Sequence, residues 1–320
     1  MMQIALIGLG AGAASALLFA SVASGSLLSI FLFYVTPLPI LIAALGWSHW
    51  AAAIAALGAA TALAAIFGSV FFAAFIIGTG IPAWWLGYLT MLARPATTAS
   101  TGVLEWYPPG RLVLWSAAFG ALIVAIGVLT FGTDLESFRS EMRQGMERLI
   151  QFRADGAAPQ KAAQTALVDF LVVVVPLAGA VLATVTNVLN VWLAARIVKF
   201  SGRLQRPWPD LSAMTFPRPA VAVFAVTVVL SFVGGIVSLL ASVGAAAFVV
   251  AYGALGFAVL HTLTRGTRGR GLVLSAAYGA VIVFFWPVIG LCLLGIIDAL
   301  FDLRGRKAQR RGPPSPPLST

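Results

Sequence analysis

At 320 residues the chain could form one or two soluble domains, but 60% of its residues are hydrophobic and only 9% are charged. A water-soluble domain carries roughly 25% charged residues, so a soluble fold is excluded. The formal charge of +10 comes from 20 Lys and Arg against 10 Asp and Glu, most of them between the apolar segments. Charge in that position indicates topogenic residues and contact with a lipid bilayer, and we expect no nucleic-acid partner.

The apolar residues form continuous blocks of about 20 residues, the length that a hydrocarbon core of about 30 Å requires of a helix. Ala and Leu dominate the blocks and no alternation is present, which excludes a strand barrel. We therefore predict an all-α fold over residues 1–303, a polytopic transmembrane helical bundle of about eight to nine spans. The nine blocks cover 4–23, 27–45, 51–67, 70–92, 112–131, 167–195, 220–240, 244–263 and 272–300.

The first block has two interpretations. The segment 21–23 has the small residues of a signal-peptide cleavage site, but no Lys or Arg precedes the apolar run, which favours a retained first span. The run of Gly and Ala from Gly8 to Ala13 superficially matches a dinucleotide-binding fingerprint, yet it lacks the preceding strand and the later acidic residue that such a motif needs.

Small residues recur at every fourth position of this block, at Gly8, Gly12, Ala16 and Ala20. A stripe of small side chains lets another helix approach closely. It predicts helix–helix docking, either within this chain or with the helix of a transmembrane partner subunit. A second stripe of the same kind comprises Ala52, Ala56, Ala60 and Ala64.

The one long polar insertion, 133–156, reads as an amphipathic helix. Thr133 and Glu136 form a capping box at its start, and Gly156 followed by Pro159 predicts its end. One face is apolar and consists of Leu135, Phe138, Met142, Met146 and Leu149. Such a helix lies on the membrane surface, or it packs against a partner or against the rim of the bundle itself.

Polar side chains inside the sixth block mark the candidate ligand site. Asn187 and Asn190 lie three residues apart, with Thr184 on the same face. Amides in a bilayer must face protein or a cavity because hydrocarbon offers no hydrogen-bond partner. The group serves either to join helices or to bind a small molecule or ion.

The C-terminal part leaves the orientation open. With nine spans, basic residues divide 10 against 10 between the two sides, and the positive-inside rule gives no answer. If the last block, which Trp286 and Pro287 divide, is a re-entrant hairpin, the count becomes 15 against 5. Asp298 and Asp302 near Arg304 predict an ion pair at the rim, and the basic, Pro-rich segment 304–320 predicts a disordered tail.

No catalytic set is recognisable in the sequence. It has no Ser, His and Asp arrangement, no paired buried carboxylates, no metal-ligand spacing around His49 or His261, and no phosphate loop of the Walker type. We expect no enzyme activity, no metal and no cofactor. Active transport would then need a separate ATPase module or an ion gradient.

Several segments resemble the uncharacterised YybS-like predicted membrane proteins of bacteria. They are 34–39 with Gly46, 105–111, 187–196 and 295–304. That family is similar to the substrate-capture subunits of energy-coupling-factor vitamin transporters and, more remotely, to the rod-shape membrane subunit MreD. The resemblance implies a bacterial cytoplasmic membrane and a stripe of small residues that docks a transmembrane partner.

Two functional hypotheses follow. The first is a small-solute binding and transport subunit, which the resemblance, the stripe and the prolines inside the spans favour, because broken helices mark substrate sites in transporters. These prolines are Pro37, Pro39, Pro82, Pro176 and Pro287. The second is a structural envelope protein that recruits partners through the amphipathic helix and the basic loops.

Overall fold

The computed structural model describes residues 1–95, 104–153 and 161–310. Helices make up nearly all of the described chain: α1 Met2–Ala20, α2 Leu27–Tyr34, α3 Pro37–Gly46, α4 His49–Phe67, α5 Ser69–Phe75, α6 Ile81–Thr90, α7 Pro109–Phe131, α8 Leu135–Arg153, α9 Lys161–Phe200, α10 Pro219–Leu230, α11 Gly235–Leu263, α12 Arg270–Phe284, α13 Pro287–Phe301 and α14 Leu303–Arg310. Two short antiparallel strands, β1 Ala93–Pro95 and β2 Leu104–Trp106, pair Arg94 with Glu105.

Seven helical segments of the described chain are long and apolar enough to cross a membrane, and three further apolar helices are shorter. The protein is therefore an all-α, multi-pass membrane protein, as predicted. The seven segments are Met2–Ser24, Leu27–Gly46, His49–Phe67, Ser69–Thr90, Pro109–Phe131, Ala166–Phe200 and Gly235–Leu263.

The N-terminal part is built on close contact between α1 and α4. A Cβ placed on Gly8 would lie 2.8 Å from the carbonyl oxygen of Ala51, and one on Gly12 would lie 2.7 Å from that of Ala55. The two helices therefore run parallel with their backbones nearly touching, an approach that only small residues allow.

The second span is broken between α2 and α3. Pro37 has no N–H to donate, so the α-helical hydrogen-bond ladder is interrupted there. The hydroxyl of Ser15, buried in α1, donates to the carbonyl of Thr36 at 2.6 Å and satisfies part of the exposed backbone. A further break comes at the π-helical turn Ile76–Gly80, which joins α5 to α6 just before Pro82.

The amphipathic helix α8 packs against the bundle's own rim, which decides between the two interpretations of the insertion. Phe138 is fully buried beside Val168 and Val172 of α9. The N-terminal cap of α8 is Asp134, whose carboxylate accepts a hydrogen bond from the N–H of Ser137 at 2.9 Å. The predicted capping box of Thr133 and Glu136 is therefore not the cap. The predicted stop at 156–159 lies outside the described residues, as does the side chain of residue 149.

The predicted boundary between the seventh and eighth blocks, at 241–243, is wrong. Those residues lie inside the continuous 29-residue helix α11. The break comes earlier, after α10, where Gly234 and Gly235 adopt positive φ values of 93° and 63°. Apolar residues run through this break without interruption, so hydropathy alone does not reveal it.

The last block forms two helices, α12 and α13, and not one long span. The turn between them places Phe285 at φ 59°, and the N–H of Trp286 donates to the carbonyl of Phe284 at 2.7 Å. The chain leaves α11 after Leu263 and returns to it, because Lys307 donates to the carbonyl of Leu263. The pair is therefore a re-entrant hairpin that begins and ends at the same end of α11.

An ion pair joins the end of α13 to the start of α14. The buried carboxylate of Asp298 lies 2.7 Å from the guanidinium of Arg304, which also donates to the carbonyl of Ser212 at 2.9 Å. Residues 304–310, expected to belong to a disordered tail, instead lie in α14, and residues 311–320 lie outside the described part of the chain.

The two ends of the bundle differ in charge. One end, called the basic end below, gathers the turn at Gly46, the connection 91–108, the loop 201–218 and α14. Contacts between them define it: Arg203 donates to the carbonyl of Gly46, and Thr262 donates to that of Ser212. The other end carries α8.

Five of the 20 Lys and Arg belong to the α8 end: Arg139, Arg143, Arg148, Arg153 and Lys161. Fourteen others belong to the basic end, and Arg311 lies beyond the described residues. The re-entrant hairpin thus produces an asymmetric division of 14 against 5 among the described residues.

Candidate functional site

A cavity of about 710 Å³ opens at the basic end of the bundle. Its walls are residues 109–116 of α7, 188–195 of α9, 254–261 of α11 and 204–214 of the loop. The lining is mostly apolar, with a few polar groups such as Ser116 and His261. Pockets of about 300–1,000 Å³ with this composition are typical small-molecule sites.

The loop that lines the cavity descends into the bundle beside α11. Ser212 lies at the end of α11, where its carbonyl accepts from Thr262 at 2.8 Å. Phe216 lies deeper, with its ring 5.1 Å from that of Tyr252. Prolines at 207, 209 and 217 prevent this segment from becoming a helix. Non-helical backbone at membrane depth occurs only where protein buries it or where it lines a cavity, and here it does both.

Arg206 fixes the position of the loop. Its buried guanidinium donates to the carbonyl of Thr90, at the end of α6, at 2.9 Å and to the carbonyl of Tyr107 at 2.8 Å. Neither carbonyl has a donor within a helix, because Thr90 ends α6 and Tyr107 precedes α7. The arginine therefore supplies the missing hydrogen bonds and holds the loop against the end of α6 and the start of α7. Arg206 itself lines the cavity.

The hairpin helix α12 covers the cavity through one side chain. Among the described residues of α12, only Tyr278 lines it and none is buried. The ring of Tyr278 stacks on Phe257 with centroids 4.3 Å apart, and its hydroxyl lies 3.1 Å from Nε2 of His261. These contacts place α12 as a thin outer wall.

Two carboxylates at the basic end are held ionised. Arg94 donates to Glu105 at 2.9 Å, which lowers the pKa of that carboxyl below its usual range. The hydroxyl of Ser212, and then Arg265, donate to Asp210 and lower its pKa in the same way. Each carboxylate neutralises one neighbouring arginine. Other cations, Arg196 and Lys199, remain beside the mouth of the cavity.

The predicted ligand residues lie on α9 but do not line the cavity. The amide nitrogen of Asn190 donates to the carbonyls of Tyr34 and Thr186, both at 2.8 Å. The hydroxyl of Thr184 donates to Ala180 at 2.8 Å. Asn187 is buried, and its amide nitrogen has no hydrogen-bond partner among the described residues.

The structure brings Asn190 to the break between α2 and α3, where the carbonyl of Tyr34 has lost its α-helical donor, because the N–H of Leu38 donates to the carbonyl of Val35 instead. Thr184 lies against Gly120 of α7, at which a Cβ would collide with the threonine hydroxyl. Both residues therefore join helices, and neither lines the cavity, to which α9 contributes Val188, Leu189, Val191, Trp192 and Ala195.

The predicted docking stripe is covered within the chain. Gly8, Gly12 and Ala16 are buried and Ala20 is partly buried. They lie in the N-terminal core with α4, whose own stripe residues Ala52, Ala56 and Ala60 are buried there too. A transmembrane partner would need a different surface.

The residues that line the cavity were not recognised as a site from the sequence. Trp208 has the position of an interfacial aromatic residue in a basic loop, and His261 that of a residue near a block end. The signal that could have indicated them is the density of proline around Trp208, with Pro207 and Pro209 on either side. A loop that is rich in proline, contains an aromatic residue and lies next to an apolar block is a sign that the loop itself folds into the bundle.

Comparison with known proteins agrees with this architecture. No curated protein matches the chain, and no solved structure matches it. The model of one protein family, described as "Predicted membrane protein (DUF2232)", matches residues 13–299. This match begins within α1 and stops near the end of α13, so it covers most of the chain, and the chain therefore belongs to this family of predicted membrane proteins.

Proposed function

We propose that this protein binds a small amphipathic molecule in the cavity at the basic end, as the binding subunit of a system in the bacterial cytoplasmic membrane. The cavity itself, about 710 Å³ and mostly apolar, carries the proposal. The loop 204–214 supports it, because this non-helical segment lines the cavity and discontinuous segments border the binding sites of many membrane transporters.

The basic end faces the cytoplasm in this proposal. Cytoplasmic connections of membrane proteins carry an excess of Lys and Arg, and the division of 14 against 5 among the described residues favours the basic end strongly. The cavity would then open toward the cytoplasmic leaflet.

Transport is the narrower form of the proposal, by analogy with the capture subunits of energy-coupling-factor transporters. The sequence has no phosphate-binding loop, so energy would come from a separate ATPase module. Because α4 covers the stripe Gly8, Gly12, Ala16 and Ala20, such a module or its transmembrane partner would contact another surface.

The rival hypothesis is a structural envelope protein that recruits partners through the amphipathic helix and the basic loops. In the structure Phe138, Leu135, Met142 and Met146 of the apolar face of α8 pack on the bundle. This contact occupies the described part of that face, which favours ligand binding over partner recruitment through α8.

The experiment is to extract the purified protein with organic solvent and identify small molecules that co-purify, by mass spectrometry. Ala254 lines the cavity, so Ala254→Phe should fill it and reduce the amount of bound molecule several-fold. Ala13→Phe is the matched control, since Ala13 is exposed on α1 away from the cavity. Gel filtration and thermal unfolding would verify that both variants are folded.

Equal retention by wild type, Ala254→Phe and Ala13→Phe would overturn the proposal, because a molecule bound in the cavity cannot coexist with the added ring. So would the absence of any bound or added amphiphile from the wild-type protein at concentrations up to its solubility.

A further inference from the structure

Two cationic side chains, Arg196 and Lys199, lie at the mouth of the cavity and pack over tryptophan rings that line it. The ammonium of Lys199 lies 4.8 Å from the ring centre of Trp208, and the guanidinium of Arg196 lies 5.5 Å from the same centre. Arg196 is also 5.8 Å from the ring of Trp192. Both tryptophans line the cavity. The aromatic faces orient the two positive charges beside the opening.

Neither cation is neutralised by a carboxylate among the residues that the structure describes. The four ion pairs found there join Arg94 to Glu105, Arg143 to Asp169, Arg265 to Asp210 and Arg304 to Asp298. The three carboxylates of the basic end that form these ion pairs therefore bind arginines other than Arg196. Arg196 and Lys199 remain exposed and available to an anion.

The cavity also opens sideways, toward the bilayer. Four of its lining residues are large and exposed: Leu189 at 56%, Trp192 at 45%, Tyr278 at 43% and, on the loop, Leu211 at 42%. Leu189 and Trp192 lie on α9 and Tyr278 on α12, so the opening runs between these two helices. Exposed apolar side chains of a membrane helix face lipid, and a molecule from the bilayer can reach the cavity without crossing water.

The depth of the site matches one leaflet. The lining of α11 begins at Ala254 and ends at His261, close to the last residue of the helix, Leu263. At 1.5 Å per residue the cavity reaches roughly 14 Å from the end of the helix, about half of a hydrocarbon core of about 30 Å.

We propose that the cavity takes a membrane lipid with a net negative phosphate headgroup, whose phosphate lies between Arg196 and Lys199 beside Trp208 and whose chain occupies the apolar interior. This inference rests on the proposed function and deepens it by naming the ligand class. Such an amphiphile matches three features of the site: the apolar lining, the opening toward the bilayer and the two cations that no described carboxylate neutralises. A water-soluble anion would need a polar lining.

The test compares lipids that share acyl chains and differ in headgroup charge, phosphatidylglycerol and phosphatidylcholine, added to the delipidated full-length protein in detergent. Native mass spectrometry counts the bound lipid. Wild type should prefer phosphatidylglycerol. The double variant Arg196→Gln with Lys199→Gln should lose roughly 10- to 30-fold in affinity for it, since each basic residue near a membrane surface contributes about a factor of five.

The matched control removes two other charges from the same end, Arg218→Gln with Arg268→Gln. Both residues are exposed and neither lines the cavity. This double variant should keep the preference for phosphatidylglycerol, because its net charge equals that of the test variant and only the positions differ.

Three outcomes would overturn the lipid assignment. Equal loss in both double variants would indicate general surface attraction. Competition by millimolar inorganic phosphate that displaces the lipid would indicate a free-phosphate site. An unchanged preference in the test variant, with binding still abolished by Ala254→Phe, would leave the proposed function intact and remove the headgroup site. If Ala254→Phe also binds like wild type, the proposed function fails as well.

Discussion

The side-chain amide of Asn190 donates a hydrogen bond of 2.8 Å to the main-chain carbonyl of Tyr34, although 156 positions separate them in sequence. The carbonyl is free because α2 ends there and Pro37 begins α3. One polar side chain of α9 thus repairs a defect in the second span, and the broken helix becomes part of the packed bundle.

Replacement of Asn190 by Leu should lower stability, because the carbonyl of Tyr34 is then buried without a donor. The cost is about 1 kcal/mol, within the range for hydrogen bonds between membrane helices and for unsatisfied buried groups. Thermal unfolding in detergent would measure it. Asn187→Leu is the matched control and should cost less, since the amide nitrogen of Asn187 has no described partner. A larger loss in Asn187→Leu would contradict this assignment.

The same variant separates structure from binding. Asn190 does not line the cavity, so Asn190→Leu that remains folded should bind lipid as wild type does. A selective loss of ligand in this variant would favour the earlier hypothesis that the Asn190 face is the binding site.

The contact between α11 and α13 should not tolerate a side chain at Gly256. A Cβ there would collide with the carbonyl of Leu291, which is backbone and cannot rotate away. We expect Gly256→Ala to cost about 1–3 kcal/mol by overpacking. Gly279→Ala on α12 has open space around the new methyl group, so it should be neutral or stabilise by up to about 1 kcal/mol through helix propensity. Unfolding of the two variants in the same detergent is the comparison, and the opposite order would show that the hairpin does not pack as described.

The re-entrant hairpin predicts the sidedness of three positions. In a Cys292→Ala background, cysteines at Thr267, Gln309 and Ser140 would be labelled with a membrane-impermeant maleimide on spheroplasts, before and after permeabilisation. Ser140→Cys, on α8, should react in intact spheroplasts. Thr267→Cys and Gln309→Cys should react only after permeabilisation, because both lie at the basic end. If those two report opposite sides, α12 and α13 together cross the membrane and the hairpin is wrong.

The ion pair of Asp298 and Arg304 should matter more than the other pairs of the basic end. The side chains are 3% and 12% exposed, and removal of one partner from a buried pair leaves an uncompensated charge. Asp298→Asn should cost about 3–5 kcal/mol. Asp210→Asn breaks the exposed pair with Arg265 and should cost no more than about 1 kcal/mol. Chemical or thermal unfolding would measure both losses of stability. Similar losses would mean that the pair of Asp298 and Arg304 is not buried.

Hydropathy was sufficient for the class of the protein and for most of its spans. Blocks of apolar residues without charges leave the backbone no choice except helix, because a bilayer supplies no hydrogen-bond partners. The polar insertion around Phe138 was recognisable for the same kind of reason, since its apolar side chains recur with the helical period. Whether that face meets lipid or the bundle depends on where α9 and α11 lie, and periodicity carries no such information.

The candidate site could not be located from the sequence. Asn187 and Asn190 drew attention because amides are rare in apolar blocks, yet polar side chains in membrane helices join helices as readily as they bind ligands. Trp208 and Tyr278 are ordinary interfacial aromatics in sequence. They became parts of one cavity only when the loop 204–214 and α12 were placed against α9.

By itself, the sequence determined that this chain is a multi-pass helical membrane protein with a basic excess, because composition and block length answer directly to the thickness and polarity of the bilayer. The tertiary structure decided that α12 and α13 turn back, that fourteen of the described cations lie at one end, and that the stripe from Gly8 to Ala20 is already occupied by α4. These are contacts between residues distant in sequence, and their geometry depends on how helices of similar hydropathy pack against one another, which hydropathy does not distinguish.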